Sequence, residues 1–81
     1  MDRLRFIDMR LLWEARINRV DLIEAFSISP AQAALDFRTY LEQAGEGVIY
    51  DTRAKSYVTT NDYEPVFPHP DGREELLQLA A

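Results

Sequence analysis

Three groups of side chains in this sequence have types and spacings suited to holding a polyanion. Arg16, Asn18 and Arg19 gather where a short amphipathic stretch begins, so cationic side chains and the unpaired N–H groups of a helix start could grip one phosphate together. Arg53 and Lys55 lie in the polar run Asp51-Thr52-Arg53-Ala54-Lys55-Ser56 and are spaced to straddle a phosphate backbone. Charges at such a tip also serve to blunt edge pairing, so the pair has a purely structural reading as well. The third group follows Ser29-Pro30, where Ser29, Ala31, Gln32, Ala34, Leu35 and Arg38 would share the outer side of one helix. A glutamine can pair bidentately with adenine N6 and N7 in the major groove, which makes Gln32 the strongest base reader of the set. Equally, Gln32 could only close a capping box with Ser29. Arg38 suits a phosphate contact better than a base, or stands as an ordinary solvated arginine.

The same inventory is poor for catalysis. His69 is the sole histidine, set between Pro68 and Pro70, and there is no cysteine to complete a nucleophilic pair, a disulfide or a metal cluster. Glu74 and Glu75 have an adequate explanation in the first turn of a helix. No enzyme activity, cofactor or metal is expected. Trp13, Phe26, Phe37, Tyr40 and Tyr50 could be pictured as stacking platforms, but aromatics at these spacings are expected in the core.

The net charge of −5 opposes binding to nucleic acid, since Lys and Arg supply most of the non-specific affinity. Its distribution softens the objection. Residues 1–60 hold eight Lys or Arg against nine Asp or Glu, net −1, while residues 61–81 hold one against five, net −4.

These groups need elements to position them. Leu4, Ile7, Leu11 and Leu12 recur at helical steps and predict a first helix ending near Trp13. A second, short helix fits Arg19 to Phe26, with Asn18 as N-cap and Val20, Ile23 and Phe26 toward the core. Ser29 and Pro30 then start a third, carrying Ala33, Phe37, Tyr40 and Leu41 on its buried side and ending near Ala44, with Gly45 available for a positive-φ cap. Val48-Ile49-Tyr50 and Tyr57-Val58-Thr59-Thr60 read as a hairpin around the basic loop. Asn61 to Asp71 contains three prolines and should be extended, and a further helix could run from Arg73 to Leu79. The fold class that follows is mainly α with a small β-hairpin, a winged helix-turn-helix over residues 1–60, with helix 30–44 entering the major groove and hairpin 48–60 as the wing. Residues 61–81 would be a linker and the start of a connecting helix. No stretch has the length and apolarity of a signal peptide or membrane span, and a cytoplasmic protein is expected.

The runs Leu11-Leu12-Trp13-Glu14-Ala15-Arg16-Ile17-Asn18-Arg19-Val20-Asp21-Leu22, Ile28-Ser29-Pro30-Ala31-Gln32-Ala33, Tyr50-Asp51 and Ala54-Lys55-Ser56-Tyr57-Val58 resemble the N-terminal domain of WYL-domain transcriptional regulators. The likeness extends through the exit segment Tyr63-Glu64-Pro65-Val66-Phe67, and is strongest to repressors associated with bacterial anti-phage defence islands. It implies a homodimeric repressor bound to an inverted repeat of double-stranded DNA, with C-terminal ligand-sensing and connecting parts beyond these 81 residues. Two features depart from relatives. Ala34 and Leu35 stand where related DeoR-type winged helices often carry arginines, and Ala15 stands where many relatives have glycine. A winged helix used for protein–protein contacts is the competing reading.

Overall fold

A computed structural model describes residues 2–68; the expectations about His69 and about a helix from Arg73 lie outside the described residues. Asp2 accepts a hydrogen bond from the Arg5 backbone N–H and starts α1 (Arg3–Glu14). That helix stops at Ala15, whose φ of 61° is left-handed and whose N–H donates to the Leu11 carbonyl. A side chain at such a φ is strained, which is the physical sense of glycine at this place.

The chain then forms a two-residue strand, β1 (Arg16–Ile17), which the sequence reading had not anticipated. Next comes α2 (Arg19–Phe26), opened by a full capping box: Asn18 accepts from the Asp21 N–H while the Asp21 carboxylate accepts from the Asn18 N–H. Ser27 at φ 53° closes α2, and Ser29 caps α3 (Pro30–Ala44) by accepting from the Gln32 N–H. Gly45, at φ 57°, ends α3 and opens a short 3-10 turn (Gly45–Gly47). The hairpin follows as β2 (Val48–Asp51) and β3 (Ser56–Thr59). β3 is the middle strand of an antiparallel sheet in the order β1-β3-β2, pairing Ile17 with Tyr57 on one side and Tyr50 with Tyr57 on the other.

The core joins the helices to the sheet. Ile7 and Leu11 of α1, Leu22 of α2, Ala33, Phe37 and Tyr40 of α3, and Ile17, Val48 and Tyr57 from the strands are all buried. Phe37 stacks on Tyr57 with ring centres 4.4 Å apart, fastening α3 to the middle strand of the sheet, and Phe6 meets Phe26 edge-on at 5.3 Å, fastening α1 to α2.

Several core assignments need correction. Val20 is 55% exposed and Leu22 takes the inward place instead, because Val20 lies in the first turn of α2 on the side away from α1 and α3. Leu12 lies at the solvent edge of the α1 stripe. Trp13 is 61% exposed, opposite the Ile7 and Leu11 stripe, and Tyr50 is exposed at the outer strand, touching Tyr57 by an edge. Neither is the core aromatic expected from its spacing.

Residues 61–68 form no regular element, yet they are fixed to the body. Asp8, fully buried on α1, accepts from the Tyr40 hydroxyl (2.5 Å), the Tyr63 hydroxyl (3.1 Å), and the backbone N–H groups of Val66 (3.0 Å) and Phe67 (2.9 Å). Gly47 admits the same segment: a Cβ there would stand 3.0 Å from the Tyr63 Cα.

Candidate nucleic-acid interface

α2 and α3 are joined by three residues, Ser27 to Ser29, and the buried side of α3 fixes which side faces out. Ala33, Phe37 and Tyr40 point into the core, so Ala31, Leu35 and Arg38, at helical steps on the other side, are exposed, and Ala34 is half-buried beside them. Ser29 stands exposed at the helix start.

Gln32 is displaced from this face. Its side-chain amide donates to Asp36 at 3.0 Å, one turn along, and the other Asp36 oxygen accepts from Arg3 at 2.6 Å. The Ser29 half of the box forms, while the Gln32 amide donates along α3 to Asp36, the carboxylate that Arg3 ties to the start of α1. Asp36 lies four residues on, within reach of the amide NH2 along the same side of the helix, and its carboxylate is itself anchored by the Arg3 guanidinium.

Arg19 and Arg38 line one open cleft with Ala34, Leu41, Glu42 and Tyr57, so the start of α2 and the middle of α3 present their cations to the same space. Arg16 lies on β1 rather than on α2, and its guanidinium donates to the buried Ser56 hydroxyl at 3.3 Å, which ties it to the start of β3, next to the hairpin tip. Asn18 is engaged in the capping box. At the hairpin tip, the Asp51 carboxylate accepts from the N–H groups of Arg53 and Ala54, and Lys55 takes a left-handed φ of 52°. This folds the tip tightly and leaves Arg53 and Lys55 exposed.

The cations divide into two sets. Arg3 pairs with Asp36, Arg5 with Asp2, and Arg10 with Glu14 and Asp21. Among the described residues, Arg16, Arg19, Arg38, Arg53 and Lys55 enter no ion pair.

The sequence agrees over residues 1–81 with the family described as the BrxR transcriptional regulator winged helix-turn-helix domain. The chain belongs to this family. The BrxR-type domain is also 40% identical over 77 residues to a protein of Stenotrophomonas maltophilia named DNA-binding transcriptional repressor CapW, a match covering 95% of this chain and 26% of that protein. Proteins of the same name from Pseudomonas aeruginosa and from Escherichia coli strain KTE188 are 47% identical over 66 residues and 42% identical over 65, covering 82% and 80% of this chain and 22% of each relative. The chain thus spans about a quarter of the length of these relatives. Within the BrxR-type fold, the residues that sequence reasoning passed over are structural supports: Asp8, which holds residues 63–67, and Asp36 and Ser56, which hold Gln32 and Arg16.

Among the described residues no group of His, Asp or Glu is disposed to hold a metal, and no helix is long and apolar enough to cross a membrane.

Proposed function

We propose that this chain is the DNA-binding domain of a cytoplasmic transcriptional repressor, with α3 in the major groove and the β2–β3 hairpin as a wing on the phosphate backbone. The observation that carries this reading is the division of the cations. The arginines of α1 are neutralised within the fold, whereas, among the described residues, the five cations on β1, α2, α3 and the hairpin tip pair with no carboxylate and are exposed on the elements a winged helix turns toward DNA. Cations left unpaired on one group of elements meet phosphates without first breaking internal pairs. In this reading Arg16, Arg19, Arg38, Arg53 and Lys55 contact phosphate, Ser29, Ala31, Ala34 and Leu35 face base edges, Asn18 caps α2, and Gln32 is held by Asp36. The relatives named CapW are called DNA-binding transcriptional repressors, which favours the same role here.

The test is a titration of fluorescently labelled duplex with the 81-residue chain across a series of salt concentrations. If three to five of these cations each neutralise a phosphate, log K should fall against log salt with a slope of about −3 to −4.5. Absence of duplex binding at low salt would leave a winged helix that contacts protein.

A further inference from the structure

We propose that the outward face of α3 recognises thymine through its methyl group, with Leu35 as the central contact and Ala31 and Ala34 beside it. The inference rests on the reading of α3 as the helix that enters the major groove.

Along the first two turns of α3, the side chains that face outward carry no hydrogen-bonding group. Ala31 is exposed, Ala34 is half-buried, and Leu35 is 53% exposed, a large apolar side chain left in water on the face that points away from the core. The one amide nearby, Gln32, is drawn to the flank by Asp36, and Asp36 is only 8% exposed and ion-paired with Arg3. Releasing Gln32 toward a base would therefore strip a partner from a nearly buried carboxylate. Of the four bases, only thymine offers the major groove an apolar group, its C5-methyl, and alanine and other apolar side chains are suited to touch it.

The charges around the patch fit this occupant. Arg19 and Arg38 line the cleft that Ala34 borders, and neither is spent in an ion pair, so phosphates on either side of a groove can be met while the apolar face lies against base edges. Glu42 lines the far end of the same cleft, where a carboxylate disfavours a close phosphate, so the N-terminal half of α3 is the half that goes deepest.

The experiment begins with selection of a randomised duplex library by the 81-residue chain. Each thymine of the enriched site is then replaced in turn by deoxyuridine, which removes the methyl group and leaves every hydrogen-bonding edge unchanged. Two or more adjacent positions should lose affinity by roughly threefold to tenfold each, the scale of one buried methyl or slightly more. Leu35→Ala should abolish that sensitivity at its own position while binding the deoxyuridine duplex as well as the parent chain does, because the two changes remove opposite halves of one contact. Leu35 supports no core packing, so the variant keeps its fold, as its unchanged thermal transition would show. A selected site indifferent to deoxyuridine overturns the inference and leaves the DNA-binding reading intact. Failure to enrich any sequence while duplex is still bound overturns specific reading by α3, and failure to bind duplex overturns both.

Discussion

Asp8 is the residue on which the packing of the exit segment turns. It lies within the stripe defined by Leu4, Ile7 and Leu11, where a carboxylate would ordinarily be excluded, and is tolerated because hydroxyl and amide donors converge on it. Asp8→Asn keeps the volume but places an NH2 group against at least one of these donors, and should lower stability by about 1.5–3 kcal/mol, measured by urea denaturation. Faster amide exchange at Val66 and Phe67 should accompany it. The tyrosines report the same site. Burial is the chief cause raising both phenols, with Asp8 adding to it, and Tyr63 is pushed up to about 12 from an ordinary 10.0. A raised folded value means that the contribution to stability is complete below pH 10.0 and is lost as pH climbs from there through about 12, since the unfolded chain ionises first. The thermal midpoint should therefore fall steeply above pH 10.0, and Tyr40→Phe with Tyr63→Phe should flatten that fall. None of this was legible in the sequence, where Asp8 is one of two acids on a helix that also carries three arginines. Its available signal was position, since it is the charge set between two core residues of the apolar stripe. Gln32 was legible only as a type: its nearness to Ser29 gave the cap, but the pull of Asp36 depends on Arg3 arriving from another helix.

At the scale of elements, α2 and α3 could be read because each combines a helical apolar period with a cap, and α1 from its apolar period alone. β1 could not, since two residues carry no period and its pairing with β3 depends on contacts some forty residues apart. The outward turn of Trp13 was hidden for a related reason: a spacing identifies a face, and only packing decides which face is inside. The turn from α1 to β1 yields a stability prediction. Ala15 occupies φ 61°, so Ala15→Gly should relieve left-handed strain and, after the entropy glycine adds to the unfolded chain, stabilise by about 0.5–1 kcal/mol in denaturant melts. The hairpin tip yields a functional one. Because Lys55 is also left-handed, its charge is best removed with a residue that tolerates that conformation, and Arg53→Ala with Lys55→Asn should weaken all duplexes alike while reducing the salt slope by about one to two units. Unchanged affinity and slope would take the wing off the backbone. Gln32→Ala should strip a donor from the Asp36 carboxylate that Arg3 ties to α1 and cost about 0.5–1.5 kcal/mol of stability, with equal loss on every DNA sequence. A loss confined to the selected site would instead restore Gln32 as a base reader.

For the whole molecule, size and charge limit what this domain can do alone. A single module of this kind buries only about 600–1,000 Å² of its surface on DNA, and the five cations that form no ion pair among the described residues act within a chain of net charge −5. Micromolar or weaker binding at physiological salt is therefore expected for the 81-residue chain. Relatives about four times as long have room for a dimerising body. The link to it would leave through Tyr63, Val66 and Phe67, which Asp8 holds against α1 while Tyr40, a residue of α3, bonds to the same carboxylate. Residues 63–67 and α3 thus share one anchor, so under the proposed repressor reading a body that fixed two such segments would also fix the distance between two copies of α3. Two such copies, one DNA turn apart at about 34–36 Å or a multiple of it, require an inverted repeat. Tethering then makes the second half-site contact intramolecular and can strengthen binding by about 10² to 10⁴. Footprinting a full-length protein carrying this domain, before and after scrambling one half-site, measures that gain. Affinity should fall by at least a hundredfold, and Asp8→Asn should shrink the gain by loosening the exit segment while leaving single half-site affinity nearly unchanged. A single half-site bound as tightly as the pair would show that the domain acts as an independent monomer.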